Sequence, residues 1–467
     1  MTAPTKLSRL VDALRDGMPD RAVVTDAGLL ESYRNDEASF CESALPTVAV
    51  LPRSTEEVQH VVRTAAAHGV PVVPQGARTG LAGAANALPG CVVLSLTAMN
   101  RVVEVNTVDR YAVVEPGVLT ADLSRAAAEH GLRYPPDPSS WETSTIGGNL
   151  ATNAGGLCCV KYGVTADFVL GLEVVLASGE VMRTGSRTVK GVAGYDLTRL
   201  FVGSEGTLGV ITQATLALRP VVPLPLTLAA VFPTTGAAGA AVSSIVAAGC
   251  IPSLLEVLDR LTLRALNDWK NMGIAEDAAA LLLAQSDAGE QAPAELEVIA
   301  ELCRAAGAED VLVSTDAAES TMLLEARRLA YPALARLGAT MVDDVAVPRS
   351  RLADFLAGVE RIAAESGLVI GVVGHAGDGN MHPTVVFDRD DPAAAVRAQT
   401  AFDSIMALGL ELGGTITGEH GVGLLKRDWL ARELGPVSMQ VHAGIKAALD
   451  PLGILNPGKV MPPAALP

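Results

Sequence analysis

The chain has 467 residues, of which 49% are hydrophobic and 19% are charged, so a disordered chain is excluded and about two to four domains with buried cores are indicated. Its 35 Lys and Arg residues against 52 Asp and Glu residues give a formal charge of −17. This charge argues against nonspecific nucleic-acid binding and against attraction to an anionic membrane surface. An anionic substrate would therefore need local positive charge, from an arginine or a metal ion in a cleft.

The first half of the chain alternates short apolar runs with helical patterns. Residues 1–20 lack the apolar core of a signal peptide, and the sequence has no run of about 18 apolar residues that would predict a membrane span. We therefore expect a cytoplasmic protein. Ser54 and Glu57 have the spacing of a capping box at the start of a helix. Residues 134–156 predict an irregular loop, because Pro, Ser, Thr, Asn and Gly dominate there. Helices are predicted over 6–16, 54–68 and 120–130, and strands over 47–51, 70–73, 91–96, 101–105, 111–115, 170–177 and 181–184. The last two strands flank Ser178-Gly179-Glu180, which predicts a hairpin turn.

Three prolines within residues 219–225 indicate a domain boundary. Beyond it, strands and helices alternate again, which predicts an α+β domain with helices on one face of a mainly antiparallel sheet. A last, mostly helical part begins near residue 393. We therefore expect an N-terminal helical segment over 1–45, one domain over 46–220, a second over 221–410 and a C-terminal segment over 411–467. In the second domain, strands are predicted over 226–232, 254–258, 281–285, 311–314 and 369–373, and helices over 237–248, 261–269, 294–306, 319–337 and 352–365.

The six cysteines show neither a CxxC pair nor an iron–sulfur spacing. They predict buried, reduced thiols of a cytosolic protein. The adjacent Cys158 and Cys159 leave a redox pair as the alternative to a packing role.

Three glycine-rich segments, at 74–86, 135–156 and 203–212, are candidates for ligand contact. The first, PQGARTGLAGAAN, follows a predicted strand, and its small residues would let backbone N–H groups turn towards a pyrophosphate. It is not a Walker A loop, because no Lys-Ser/Thr follows, and its spacing is not that of a Rossmann fingerprint. A purely structural set of turns is the alternative.

In their order and spacing, the three segments resemble the FAD-binding domain of the vanillyl-alcohol oxidase (p-cresol methylhydroxylase-type) superfamily, from about residue 47 to 220. The resemblance implies a p-cresol methylhydroxylase-type fold and noncovalent FAD, because Ala77 and Arg78 stand where some members carry the histidine that links FAD. The loop also reads Gly83-Ala84 where many members have two glycines.

The cofactor-binding residues implied by this resemblance fall into three groups. Those in the first loop, around the pyrophosphate, are Pro74, Gly76, Ala77, Arg78, Thr79, Gly80, Leu81 and Gly83. In the second group, four residues approach the isoalloxazine and ribityl parts: Gly147, Gly148, Asn149 and Gly155. The other members of this group are Pro138, Ser139, Thr145, Asn153 and Gly156. Those in the third are Glu205, Gly206 and, on the adenine side, Ile211.

Two further glycine-rich segments, GHAGDGNMHP (374–383) and GTITGEHGVG (414–423), hold three of the seven histidines. His375 and His382 can converge from a loop or a hairpin, and Glu419 is a candidate oxygen ligand from a separate segment. Two imidazoles and a carboxylate leave open positions on a metal, which suits zinc or manganese at a catalytic site. Asp378 or Asn380 are candidates for outer partners. The alternative is that each histidine is a polar turn residue.

These two motifs, together with DPLGILNPGKV at 450–460, resemble the FAD-linked 2-hydroxyacid dehydrogenases of the same superfamily, so the likeness covers nearly the whole chain. The branch includes D-lactate dehydrogenases, the FAD subunit of glycolate oxidase and D-2-hydroxyglutarate dehydrogenases. By this resemblance, His375, His382 and Glu419 bind a divalent metal, His420 is the catalytic base, and Asn456 returns to the flavin.

A substrate carboxylate favours arginine as its anchor, because the guanidinium offers a two-pronged fork. The resemblance assigns this role to Arg327, although Leu324 replaces the usual aromatic residue; a solvated pair with Arg328 is the alternative. Members that act on 2-hydroxyglutarate tend to carry Asn two residues beyond the second metal histidine, where this chain has Thr384.

We therefore expect FAD-dependent, metal-assisted oxidation of a D-2-hydroxy acid, with D-lactate or glycolate favoured, by a homo-oligomer. Because no iron–sulfur cysteine set is present, electrons would pass to an external quinone, cytochrome, electron-transfer flavoprotein or iron–sulfur subunit. The alternatives are a D-2-hydroxyglutarate dehydrogenase, an FAD-bearing accessory subunit of a glycolate-oxidase-like complex, and a non-redox relative such as an ether-lipid synthase.

Overall fold

The computed structural model describes residues 6–38, 40–273 and 277–462, so the predictions for residues 1–5 lie outside it. The chain divides into two units. The first comprises Met1–Ala154, Val164–Val221 and Glu419–Pro467, and the second comprises Gly155–Gly163 and Val222–Gly418. Each is described by itself below.

The strands up to residue 221 belong to the first unit and are mostly short. They are β1 (Val23–Val24), β2 (Val48–Val50), β3 (Val72–Gln75), β4 (Val92–Ser95), β5 (Val102–Asn106), β6 (Tyr111–Val114), β7 (Leu132–Arg133), β8 (Val169–Val175), β9 (Val181–Gly185), β10 (Val210–Ala217) and β11 (Arg219–Pro220). The helices over the same range are α1 (Lys6–Asp16), α2 (Ala27–Leu30), α3 (Thr55–His68), α4 (Thr120–Ala128), α5 (Ile146–Thr152), α6 (Cys159–Tyr162) and α7 (Leu197–Phe201). Of these, α6 lies in the second unit.

Two sheets organise the first unit. One has the order β1-β2-β4-β3, in which β4 runs parallel to both β2 and β3. Its valine-rich strands are buried along their length, as parallel strands covered on both faces usually are. The other sheet is antiparallel, with the order β5-β6-β10-β8-β9. The predicted hairpin between β8 and β9 is present, and Gly179 in its turn has a φ of +76°.

Helix α3 begins where the sequence predicts. The Ser54 hydroxyl accepts a hydrogen bond from the Glu57 amide, which satisfies one N-terminal donor. The Glu57 carboxylate accepts from the Arg53 amide, one residue before the partner that a capping box uses. The helix ends at Gly69, which has a left-handed φ of +60°.

The prediction of an irregular loop over 134–156 is wrong in part, because α5 lies within it. Thr145 begins this helix by accepting from the Gly148 amide, and Asn153 ends it with a φ of +54°. Two glycines in seven residues weaken the intrinsic helix signal. Tertiary contact compensates: the Gly147 amide donates to the Pro116 carbonyl at 2.7 Å.

The second unit is built on one antiparallel sheet. Its strands are β12 (Leu226–Phe232), β13 (Leu254–Asp259), β14 (Ala280–Ser286), β15 (Asp310–Val313), β16 (Ala339–Val342), β17 (Val345–Ala346), β18 (Val369–His375) and β19 (Asn380–Phe387). They lie in the order β15-β12-β14-β13-β18-β19-β16, and β17 also pairs with β19. The helices are α8 (Thr235–Ala247), α9 (Arg260–Lys270), α10 (Ala292–Ala305), α11 (Ala317–Ala335), α12 (Leu352–Ser366) and α13 (Pro392–Glu411).

The sheet of the second unit is covered on both faces, which corrects the expectation of one covered face. All seven residues of β14 are buried, and successive side chains of a strand point to opposite faces. Helices α9 and α11 pack with one set of strand residues in a common apolar core. Helices α8 and α10 also contact β12 and β14.

The last part of the chain is helical, as predicted. Helix α14 (Arg427–Leu449) belongs to the first unit and is interrupted at Gly435, whose φ of +73° leaves the helical region. Pro436 follows, and it lacks the N–H group that would continue the hydrogen-bond ladder. Among the described residues, no helix combines the length and the apolar composition that crossing a membrane requires.

The six cysteines all lie in described parts of the chain, and no disulfide joins them. Cys91 and Cys303 are buried, as predicted. The prediction is wrong for the other four cysteines, which are half-buried: Cys41, Cys158, Cys159 and Cys250. Burial raises the pKa of the Cys91 thiol to about 11, which keeps it protonated at neutral pH.

Removal of the α3 cap tests the local argument. Ser54→Ala should lower the free energy of unfolding by about 1 kcal/mol, because the Glu57 amide loses its acceptor. Ser54→Asp keeps an acceptor and should stay within a few tenths of a kcal/mol. Urea unfolding followed by circular dichroism measures both, and equal losses in the two variants would contradict the capping role.

Candidate active site

The first glycine-rich loop follows β3 and packs closely against the start of α5. A Cβ atom on Gly76 would lie 2.3 Å from the Thr145 hydroxyl oxygen, so a larger residue would push the two segments apart. Gln75, the last residue of β3, donates from its side chain to the carbonyls of Tyr33 and Ala85. Its Oε1 atom is buried and accepts no hydrogen bond from a described residue.

The backbone of this loop offers hydrogen-bond donors. Within the described part of the chain, the amides of residues 77–82 donate to no protein group. Arg78 adopts a left-handed φ of +62°, and its guanidinium lies 5.3 Å from the centre of the Tyr33 ring. Successive N–H groups that protein acceptors leave available form a concavity suited to an anion such as a pyrophosphate.

A buried lysine supports the second half of the loop. The Lys459 ammonium donates to the carbonyls of Gly83, Ala84 and Asn86 at 3.0, 3.0 and 2.7 Å, and the residue is 1% exposed. Burial lowers the pKa of Lys459 to about 8, although the carboxylates of Asp36 and Glu205 oppose this shift. The loop conformation therefore depends on a cation from the far end of the chain.

Two buried carboxyl groups accompany this lysine. Asp36 accepts from the amides of Ala38 and Ala85, and burial raises the pKa of Asp36 to about 6. Glu205 accepts from the amides of Val422 and Gly423 at 2.6 and 2.8 Å. Burial raises the pKa of Glu205 to about 7, while those two amides and Lys459 lower it.

In the second glycine-rich segment, some residues expected at the flavin already have protein partners. Asn149 is buried and donates from its side chain to the Thr120 hydroxyl, and Asn153 accepts from the Ala166 amide. Gly155 and Gly156 fall in the short stretch that belongs to the second unit. Pro138 is buried, Ser139 is exposed, and Ile211 is buried on β10.

Asn456 returns to the first glycine-rich loop from the end of the chain. Its side-chain amide donates to the carbonyls of Ala84 and Glu205, and its backbone amide donates to the Val72 carbonyl. The Oδ1 atom of Asn456 is buried and accepts no hydrogen bond from a described residue. A buried acceptor of this kind suits a ligand that carries an N–H or O–H group.

In the second unit, Glu256 on β13 joins two residues that the sequence singled out. One carboxylate oxygen accepts from Arg327 Nε at 2.5 Å, and the other accepts from His375 Nδ1 at 2.7 Å. Glu256 is fully buried, and Arg327 is 7% exposed. Arg327 is therefore a buried, ion-paired residue and not part of a solvated arginine pair. A donor hydrogen on His375 Nδ1 leaves Nε2 as the ligand atom.

The two histidines converge on a hairpin, one of the two arrangements that the sequence allowed. His375 ends β18, His382 lies on β19, and their ring centres are 5.1 Å apart. His382 Nδ1 lies 3.7 Å from an oxygen of the fully buried Asp344. The other Asp344 oxygen accepts from the Thr417 hydroxyl and the Gly418 amide.

Glu419 and His420 follow Gly418 directly in the chain and belong to the first unit. Both are half-buried, and their candidate ligand atoms lie within 4.8 Å of each other. They lie in a segment without helix or strand between α13 and α14. Their positions therefore depend on contacts of the neighbouring residues, among them the amides bound by Glu205.

Sequence reasoning missed several buried ionisable residues around these segments. Glu256 interrupts the apolar run of a predicted strand, and that interruption was the available signal for a buried, partnered carboxylate. Asp344 follows Asp343 within residues 340–347, for which the sequence predicts only that strands and helices continue to alternate. Asp36 and Lys459 carry no local signal, because the partners that bury them lie 49 and 373 residues away in the chain.

Comparison with known proteins identifies the family. Residues 46–185 match the family described as "FAD binding domain", and residues 226–460 match "FAD linked oxidases, C-terminal domain". Glycolate oxidase subunit GlcD of Bacillus subtilis is 44% identical over 445 residues, which cover 95% of this chain and 94% of that protein. D-lactate dehydrogenase of Anaerostipes hadrus is 35% identical over 462 residues, 97% of each.

The fold agrees with a solved structure of the superfamily that the sequence resembles. The chain superposes on p-cresol methylhydroxylase with substrate bound, with a TM-score of 0.81 and 20% identity, over 99% of this chain and 98% of that one. The protein has the p-cresol methylhydroxylase-type α+β architecture. It belongs to the FAD-linked oxidase family and is an FAD-dependent oxidoreductase.

Removal of the buried lysine charge should disrupt the first glycine-rich loop. Lys459→Met leaves three carbonyls without their donor and two buried carboxyl groups without a counter-charge. We expect a loss of roughly 3–5 kcal/mol in the free energy of unfolding, together with weaker FAD retention. Lys190→Met, at an exposed position, is the control. Chemical unfolding and the FAD content after desalting are the measurements, and a variant as stable as the control would refute the role.

Proposed function

We propose that the protein oxidises a small D-2-hydroxy acid, D-lactate or glycolate, to the 2-keto acid. This chain matches relatives named glycolate oxidase subunit GlcD and D-lactate dehydrogenase over nearly their full length. The observation that carries the proposal is the buried Glu256 carboxylate between Arg327 and His375. This contact joins a fixed guanidinium to an imidazole whose second nitrogen can bind a metal.

Arg327 would anchor the substrate carboxylate. Among the described residues, its guanidinium hydrogen-bonds only Glu256, through Nε, so both Nη atoms remain available for a two-pronged contact with a carboxylate. Because Glu256 fixes the guanidinium plane, little side-chain entropy would be lost on substrate binding. Thr384 is buried, and its hydroxyl contacts the His382 carbonyl, which supports a small substrate over a dicarboxylate.

His375, His382 and Glu419 would hold a divalent metal, zinc or manganese, with Asp344 as an additional carboxylate donor. The donor chemistry fits, since imidazole and carboxylate ligands suit both ions. Glu256 would play the outer role of a carboxylate that fixes the histidine tautomer. A metal at these residues would act as a Lewis acid on the substrate hydroxyl.

His420 would accept the proton of the substrate hydroxyl, for which its imidazole must be neutral. FAD, when bound, would supply the redox chemistry, as the acceptor of the substrate's α-hydrogen with its electron pair. The donors of residues 77–82 and the buried acceptors of Asn456 and Gln75 fit this cofactor. With Ala77 and Arg78 in the loop, FAD would be noncovalent and released by denaturation. The electrons would go to an external acceptor.

Anaerobic titration with D-lactate, glycolate and D-2-hydroxyglutarate tests this function through the visible flavin spectrum. We expect one of the two smaller acids to bleach the flavin bands. His420→Ala should retain FAD and lose at least about 100-fold in the rate of flavin reduction, because general-base catalysis contributes on that order. His442→Ala, on an exposed face of α14, is the control.

Three outcomes would count against the proposal. Bleaching by D-2-hydroxyglutarate alone would assign the dicarboxylate substrate. A flavin that no hydroxy acid bleaches would favour an accessory subunit or a non-redox role. A wild-type rate in His420→Ala would remove the base assignment.

The metal assignment has its own test in Glu256→Gln. An amide accepts through one oxygen, so either His375 or Arg327 loses its acceptor. We expect zinc or manganese affinity to fall about 10- to 100-fold, measured by chelator competition on the FAD-bound protein. Glu360→Gln, which removes a carboxylate bonded to Thr235 on other helices of the same unit, should leave it unchanged. Equal affinity in both variants would contradict the outer role of Glu256.

A further inference from the structure

Glu205 makes an unusual pair of contacts for a residue of a glycine-rich loop. Its two carboxylate oxygens accept separately from consecutive backbone amides, those of Val422 and Gly423. Glu205 is 4% exposed and has a left-handed φ of +51°, which residues with side chains seldom adopt. Strained backbone of this kind persists only where the surrounding contacts impose it.

The amides bound by Glu205 lie two and three residues after His420. Each residue spans at most about 3.6 Å, so fixing Val422 keeps the Cα atom of His420 within about 7 Å of it. The next residues are fixed as well: the amides of Leu424 and Leu425 donate to the Ala82 carbonyl at 2.8 and 3.1 Å. Glu205 is thus the acidic side chain that restrains this segment on the C-terminal side of His420.

We propose that Glu205 is a positioning residue, whose carboxylate holds the segment that carries Glu419 and His420 in its reactive arrangement. This inference rests on the proposed function, because Glu205 acts on the reaction only through His420. It assigns Glu205 a task distinct from the direct cofactor contact that the family resemblance implies.

The electrostatic surroundings of Glu205 support this role. The charged groups that face it are Lys459 and Asp36, the first lowering and the second raising its pKa, and burial brings the pKa to about 7. A protonated carboxyl has one acceptor oxygen and one O–H donor, so it cannot accept from both amides. The restraint should be complete above pH 7 and weaken as the pH falls through 7.

The test variant is Glu205→Gln, which keeps the size of the side chain. Its amide oxygen can accept from one backbone N–H, while its NH₂ group opposes the other. The matched control is Glu173→Gln, which changes a carboxylate on β8 that is bonded to Thr55, Thr212 and Arg183. Both are measured as FAD-bound protein.

Flavin reduction by D-lactate or glycolate in stopped flow is the first readout. We expect the limiting reduction rate of Glu205→Gln to fall at least about tenfold, the effect of one lost charge-assisted hydrogen bond. The substrate concentration at half-maximal rate should change less than about twofold, because Arg327 is untouched. The ratio of the wild-type rate to the variant rate should shrink between about pH 9 and about pH 6, as the wild-type carboxyl becomes protonated.

Hydrogen–deuterium exchange of the peptide that covers residues 418–425 is the second readout and needs no turnover. It should be faster in Glu205→Gln than in the wild type and in Glu173→Gln. Unchanged exchange would overturn the proposal, and so would faster exchange with a wild-type reduction rate or a rate ratio independent of pH. If no hydroxy acid reduces the wild-type flavin, the proposed function fails, and the exchange measurement still decides whether Glu205 restrains the segment.

Discussion

The burial of the Lys459 ammonium is the constraint on which the first unit depends. Three carbonyls of the glycine-rich loop accept from it, and two carboxyl groups balance its charge. The pKa values of about 6, 7 and 8 for Asp36, Glu205 and Lys459 converge on neutrality. Burial shifts the pKa of each member towards its neutral form, and the opposite charges within the cluster offset part of the desolvation cost that an isolated buried ion would incur.

The second unit also buries ionisable groups that compensate one another, but fewer of them. Glu256 lies in a strand whose other residues are almost all apolar, yet both of its oxygens have charged or polar donors. Arginine is the cation that suits such a site, because its delocalised charge is weakly hydrated. The same carboxylate orients an imidazole, so one buried group sets the geometry of two residues from different elements.

Local sequence patterns predicted most elements of both units, because they depend on neighbouring residues. The strand over 226–232 and the turn at Gly179 follow from alternation and turn chemistry alone. Helix α5 was missed, because its two glycines oppose helix formation and its stability comes from a contact with Pro116. For the candidate site, the hairpin of His375 and His382 was predictable from the sequence. The partners Glu256 and Lys459 were not, since only the folded chain brings them to their targets.

The anchoring of the segment after Gly418 follows from the same network. Residues 419–426 lack helix and strand, so no backbone ladder fixes them. Four of their amides are held instead by groups from elsewhere in the first unit, two by Glu205 and two by the Ala82 carbonyl of the first glycine-rich loop. Lys459 and Asn456 hold the next residues of that loop. The loop expected to bind FAD and the segment that carries His420 therefore share their supports, so a displacement of one displaces the other.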